Sequence, residues 1–379
     1  MKTLDSVMLE RWREMQTQHL DRTLHETLRA DEITLTREGR DYISFSCNNY
    51  LGLAQHPYVI AQAQEALAEH GASGAASRLV TGNHPLHTAL EKALAAWKGY
   101  PGARVFGSGY LANLGVLSTL MGPNDLILLD RLAHACLLDG AKLSGARWMR
   151  FKHNDMEDLQ RLLMKHRSQY RHCLIVSETI FSMDGDRAPT TALAALAATH
   201  DAWWMLDDAH GLGEPVTPAP DVLVGTLSKA LGSYGGFVAA SEAVIETLTS
   251  SARSLLFTTA LPPATLAAAA AALRILQNEP ERRARALEHA QFFTRALGLA
   301  NATSQIVPLM IGEAHAALQA SQQLQALGFL VSAIRPPTVP AGTARLRVSF
   351  SSAHSSAQLE QLTEAICSTQ LREIINNHV

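Results

Sequence analysis

No stretch of this 379-residue chain is both long and apolar enough to cross a bilayer. The most apolar segment, Ala264 to Leu273, is short, alanine-rich and closed by Arg274. A spanning helix needs about 20 apolar residues, so this one reads as a buried helix. The opening MKTLDSVMLERWREM carries Asp5, Glu10, Arg11, Arg13 and Glu14 where a signal peptide needs an apolar stretch. Charge of one sign is missing too: 32 basic residues stand against 35 acidic, a formal net charge of -3. That excludes the basic face a duplex nucleic acid requires. There is no charge run and no low-complexity tail, which argues against disorder. Cys47, Cys136, Cys173 and Cys367 show no paired spacing, as suits reduced thiols in a cytoplasm. No internal repeat is visible.

What remains is a chain that is 47% hydrophobic and long enough for about two or three domains of ~100–200 residues. Its middle alternates short, wholly apolar runs with helical patterns. Strands are expected at Ala103–Phe106, Leu126–Asp130, Cys173–Glu178, Trp203–Asp207, Val222–Thr226 and Gly236–Ala240, each apolar across its width, as for strands covered on both faces. Helices are expected at Gly109–Leu120, Met156–His166 after a cap at Asn154 or Asp155, and Thr191–His200. This alternation predicts an α/β fold, a mainly parallel sheet wrapped by helices. The ends differ. Residues 1–30 read as amphipathic helix and Ile33–Ser46 as a hairpin turning at Glu38–Gly39. After a long charged helix from Pro280 to Leu297 come strand (Ser304–Ile311), helix (Ala314–Leu327), strand (Leu330–Ala333), strand (Ala344–Ser349) and helix. We therefore expect a large domain over residues 47–280 and a small α+β domain over 281–379. The N-terminal segment, residues 1–46, should pack with the small domain.

Several residues stand where chemistry is usually done. Lys229, in DVLVGTLSKALGSYGG, follows an apolar strand; open α/β sheets build their sites at strand carboxyl ends. A lysine buried there becomes a nucleophilic amine suited to a Schiff base. Taken alone, a lysine is more often a solvated surface group. Asp207 ends a strand in LDDAHG, beside His210; it is either a turn aspartate or a carboxylate that keeps a cofactor's ring nitrogen protonated. Asp208 and His210 could hint at a metal, but no further ligand cluster supports it. ARVFGSGYLANLGVL gives strand, glycine turn and helix, a ready phosphate site. A dinucleotide fingerprint would need a third glycine where Ala112 stands. His134 in DRLAH and Ser182 in ETIFSMDGD are bland individually, although an imidazole after a strand end can stack on a planar cofactor. Arg335 and Arg347 lie in the proline-stiffened IRPPTVPAGTARLR, where arginine is the natural partner of a carboxylate.

Taken in order, GSGYLAN, DRLAH, SETIFSMDGD, LDDAHG, GTLSKALGSYGG and IRPPTVPAGTARLR resemble the α-oxoamine synthases. These are pyridoxal-phosphate enzymes of the class II aminotransferase family, with the aspartate-aminotransferase fold (fold type I). The likeness runs from about residue 20 to the C-terminus. It implies Lys229 as the Schiff-base lysine, Asp207 at the pyridine nitrogen, His210 at the phenolic oxygen and His134 stacked on the ring. It also implies Gly109, Tyr110 and Thr226 at the phosphate, with Ser182 beside the cofactor. Thr258 and Thr259, in FTTALPP, match a hydroxyl pair that the family sends across a homodimer interface to the neighbouring phosphate. Arg22, Thr338, Arg335 and Arg347 match substrate contacts, Arg347 for the amino acid carboxylate and Arg335 for the acyl chain. The proline loop most resembles that of members which condense L-alanine with a pimeloyl thioester of coenzyme A or acyl carrier protein. There the freed lysine is the base, and His134 could meet the thioester oxygen. Asn49 departs from the family's usual aspartate, and Ala75 and Ala76 replace frequent glycines. A sibling using glycine or serine would keep every cofactor residue. A nicotinamide oxidoreductase lacks its glycine here, and a non-catalytic binding protein would have lost Lys229 or Asp207.

Overall fold

The computed structural model describes residues 2–368 and Leu371. The chain divides into two units. The larger comprises residues 51–182 and 186–283; the smaller comprises residues up to Tyr50, Met183–Gly185 and the chain from Ala284 onward.

The larger unit is built on a 7-stranded sheet. Its strands are β1 (Gly102–Phe106), β2 (Leu126–Asp130), β3 (Arg147–Phe151), β4 (Cys173–Glu178), β5 (Trp203–Asp207), β6 (Val222–Thr226) and β7 (Gly236–Ala240). Their order is β1-β7-β6-β5-β4-β2-β3, with β7 antiparallel to both neighbours and the other pairs parallel. The apolar strands are those the sequence predicts, and the reason is visible in the packing. Ile127, Leu129, Leu174, Val176, Met205 and Val224 join a core under the helices Gly109–Leu120 and Ala135–Ser144. Their alternates Leu128, Ile175 and Leu206 are equally buried on the opposite face. Each such leucine truncated to alanine costs about 2–5 kcal/mol. The strand the sequence did not announce is β3, RWMRF, an edge strand that is partly exposed and carries arginines, so it lacks the apolar signature. The parallel strands end together. Asp130, Glu178, Asp207 and Thr226 therefore fall along one sheet edge.

The smaller unit holds two sheets. One is 4-stranded, in the order Leu28–Arg29, Thr34–Arg37, Arg40–Ser44, Phe329–Leu330; the other is 3-stranded, in the order Ile306–Gly312, Ala344–Ser349, Ser332–Ile334. Its core gathers Phe45, Phe293, Phe329 and Phe350 with the helices Ala314–Ala326 and Ser356–Cys367. The expected hairpin turns at Glu38 and Gly39, both at positive φ as a two-residue loop demands. Two expectations are corrected. Residues 1–30 are not one helix: the helix spans Leu4–Thr17, none of its residues is buried, and the chain reverses through His19 at φ 54 into the short strand Leu28–Arg29. The single strand expected at Leu330–Ala333 is split, because Phe329–Leu330 pairs with Arg40–Ser44 while Ser332–Ile334 pairs with Ala344–Ser349. Among the described residues, no helix is long and apolar enough to cross a membrane.

Candidate active site

In the larger unit the sheet edge and the turns that follow it concentrate polar side chains inside apolar surroundings. The turn after β6 carries Lys229, whose Nζ lies 2.9 Å from His210 Nε2. Asp207, at the end of β5, is buried and accepts from Asn113 Nδ2 at 2.6 Å and from the Ala209 N–H at 2.9 Å. Burial pushes its carboxyl up, and the nearby Lys229 ammonium and these hydrogen bonds pull the other way. His134 caps the helix Ala135–Ser144, with Nδ1 accepting the Cys136 N–H at 3.3 Å and lying 2.9 Å from Cys136 Sγ. Burial lowers its pKa, so the ring is held neutral, able to stack or to give one hydrogen bond.

The helix Gly109–Leu120 begins where β1 ends. The Ser108 side chain takes the Leu111 N–H at 3.1 Å, leaving the Gly109 and Tyr110 N–H groups ahead of it in a first turn that has no intrahelical acceptor for them. Backbones crowd here: a Cβ on Gly236 would lie 2.4 Å from Gly109 N, so only glycine permits the approach. One on Gly109 would reach Thr226 Cβ at 3.6 Å. The Thr226 hydroxyl lies 2.7 Å from Ser228 Oγ and donates to the Gly235 carbonyl at 2.9 Å. These N–H groups, hydroxyls and glycine walls form a phosphate cradle. Tyr110 is exposed and its hydroxyl donates to Asp139 at 2.6 Å. Ser182 is buried in the loop after β4 that the Ile180–Arg187 bridge closes. Thr258 donates to the Ser254 carbonyl, and Thr259 pairs with Ser77.

The residues present fit pyridoxal phosphate: an amine beside an imidazole, a buried carboxylate for a ring nitrogen, and an anion cradle at a helix start. Asp208 does not belong to this set. Lys98 holds it at 2.7 Å in a buried ion pair, and Thr179 donates to its other oxygen at 2.6 Å. Among the described residues no cluster could hold a metal ion, so the hint from Asp208 and His210 does not develop.

The expected substrate residues fall in the smaller unit. Arg347 is buried on Ala344–Ser349, with Asn48 Oδ1 at 3.3 Å, Ser349 Oγ at 2.9 Å and Tyr50 Oη at 2.9 Å. Arg335 donates to the carbonyls of His19 and Asp21, and Arg22 to that of Pro336 at 3.0 Å. Thr338 is exposed, directly after the Pro336–Pro337 pair, and its N–H returns to the Arg335 carbonyl. Sequence reasoning missed Asn113, Glu178 and Lys98. Two of them had a readable signal: Asn113 is an amide amid the apolar run of LANLGVL, and Glu178 ends CLIVSE just as acids end LILLD and WWMLD.

Comparison with known proteins gives the family. The family profile described as aminotransferase class I and II matches residues 40–366. An 8-amino-7-oxononanoate synthase of Methylobacterium nodulans is 56% identical over 349 residues, 92% of each chain. A solved serine palmitoyltransferase from S. paucimobilis, described with bound PLP, superposes with a TM-score of 0.88 at 31% identity, covering 97% of this chain and 99% of that one. A solved 8-amino-7-oxononanoate synthase from Francisella tularensis gives 0.73 at 28% identity, over 89% and 99%. Matched along most of its length by profile, sequence and fold, the chain belongs to the aminotransferase class I and II family.

Proposed function

We propose that this protein is a pyridoxal-phosphate-dependent acyltransferase with 8-amino-7-oxononanoate synthase activity. It joins L-alanine to a pimeloyl thioester with loss of carbon dioxide, the biotin-forming branch of its family. The substrate choice is carried by the 56% identity to a relative of that name, which spans 92% of both chains. The loop IRPPTVPAGTARLR supports the same branch.

When bound, pyridoxal phosphate supplies an electron sink for the amino acid Cα. The chain's residues do the rest. Asp207, buried and fixed by Asn113 and Ala209, would hold the proton on the ring nitrogen. His210 orients Lys229 across 2.9 Å, and the Lys229 amine would take the alanine Cα proton. Gly109, Tyr110, Thr226 and Ser182 would seat the phosphate and ring, and the neutral His134 ring would lie against the cofactor. Arg347 binds the alanine carboxylate, and Arg22, Arg335 and Thr338 receive the acyl donor. A Cα–carbon bond forms at the thioester carbonyl as its C–S bond breaks, His134 steadies the oxygen, and the thiolate departs and takes a proton from solvent. The carboxylate then leaves as carbon dioxide, and Lys229 returns the proton. Thr258 and Thr259 complete the phosphate site of a second copy, so the working unit is a homodimer.

The test is product analysis. Purified protein with pyridoxal phosphate, L-alanine and either pimeloyl-coenzyme A or pimeloyl-acyl carrier protein should yield 8-amino-7-oxononanoate and one equivalent of carbon dioxide. Turnover with glycine or L-serine but not alanine would move the protein to a sibling reaction.

A further inference from the structure

Three buried acids close three adjacent strands at the site edge: Asp130 on β2, Glu178 on β4 and Asp207 on β5, exposed by 1%, 3% and 5%. Their surroundings differ in one respect that decides their charge. Asp130 faces His153, whose Nδ1 lies 2.9 Å from it and whose Nε2 lies 2.7 Å from Asp186. Carboxylates only accept, so both ring nitrogens donate and His153 is a cation matched to Asp130. Asp207 takes two N–H donors, feels the charge of Lys229, and on the reading above meets the protonated ring nitrogen of the cofactor. Glu178 lies between them. Its Oε1 accepts the main-chain N–H of His134 at 2.6 Å, and among the described residues no ion pair reaches it. It stands in register with Asp207 across one parallel strand spacing of about 4.8 Å. Two buried anions so close are costly, and one proton relieves the cost.

We propose that Glu178 is a positioning residue held as the neutral acid: its carbonyl oxygen anchors the main chain of His134, and its neutrality leaves Asp207 as the sole anion facing the cofactor ring. The groups that face it agree in sign. Burial and then Asp207 push its carboxyl well up, Asp130 on β2 adds to them, and the His134 N–H and Lys229 oppose without reversing the direction. Cys136, on the helix that His134 caps, is held as the thiol by burial and by Asp207, and adds no charge. The proton therefore resides on the acid that lacks a cation. The inference rests on the cofactor reading of the site but not on the identity of the substrates.

Infrared spectroscopy tests it on the holoenzyme near neutral pH. The protein should show a carboxylic-acid C=O band that moves on labelling with carboxyl-13C glutamate, stays with labelled aspartate, and disappears in Glu178→Gln. In Asp207→Asn the same band should be lost on raising the pH at least about one unit earlier, because the neighbouring anion is gone. In turnover, Glu178→Leu, which keeps neither acceptor nor proton, should fall at least tenfold below Glu178→Gln, which keeps the carbonyl for His134. Absence of a glutamic-acid band, or its persistence in Glu178→Gln, overturns the proposal, as does equal turnover of Gln and Leu. If Glu178→Gln does not fold, the isotope shift in the native chain decides. Failure of the alanine and pimeloyl assignment would appear in product analysis and leave this band untouched.

Discussion

The two units treat their buried cations differently. In the larger one, Lys98 sits on Asp208, Arg78 on Glu91, and His153 between Asp130 and Asp186. In the smaller one, Arg335 is held by main-chain carbonyls, and Arg347 has Asn48, Ser349 and Tyr50 among its partners. The contrast is not a property of the smaller unit as a whole, since Arg345 pairs there with Asp184. It separates two uses of charge. A cation matched by a carboxylate holds the fold, and removing one partner strands the other. On the proposed reading, the arginines steadied by neutral acceptors are those that an incoming anion would meet.

The largest effect belongs to the amine that neither group includes. Lys229→Ala should lower turnover by about 10³-fold or more, since it removes both attachment point and base. Borohydride treatment with pyridoxal phosphate should add the cofactor mass to the native chain and not to the variant. Adjacent aspartates then sharpen the comparison. Asp207→Asn should cost about 10²–10³-fold in turnover at nearly native stability. Asp208→Asn should instead lower unfolding stability by about 3–5 kcal/mol in a denaturant titration, because Lys98 is left buried without its counter-charge. If the two losses were exchanged, the division between working and structural charge would collapse. Next come the arginines two residues apart on Ala344–Ser349. Arg347→Met should raise the KM for alanine and lower kcat/KM by about 10²-fold. Arg345→Met should leave that KM close to native and lower stability, since Asp184 loses its partner.

The same comparison explains what could be read beforehand. Strands such as LILLD and CLIVSE were legible because burial on both faces writes itself into every residue. Lys229, Asp207 and His210 could be singled out because each lies at or just beyond the end of such a strand, in a recognisable order. Lys98 was not, because its meaning comes from Asp208, 110 residues away, and nothing local marks a lysine at a helix end as buried. The first 30 residues misled for the converse reason: an amphipathic pattern with no core to face carries a helix only to Thr17. The neutral partners of Arg335, main-chain carbonyls of His19 and Asp21, leave no trace in side-chain identity at all.

His153 gives the most specific prediction, because it is a matched cation that can be discharged. Burial alone would lower its pKa, but the hydrogen bonds it donates to Asp130 and Asp186 overcome this and raise the value to about 10. A group whose folded pKa lies above its unfolded value of about 6.5 stabilises fully below that value. Its contribution then declines as the pH rises and is gone once the pH passes about 10. The native chain should therefore lose thermal stability between about pH 7 and 10 relative to His153→Gln, with the two melting curves converging at the alkaline end. Convergence is expected because the glutamine keeps polar contact with one carboxylate but carries no proton to lose. A difference independent of pH would mean that His153 acts by shape and not by charge. The larger unit's buried cations would then not all be matched for the same reason.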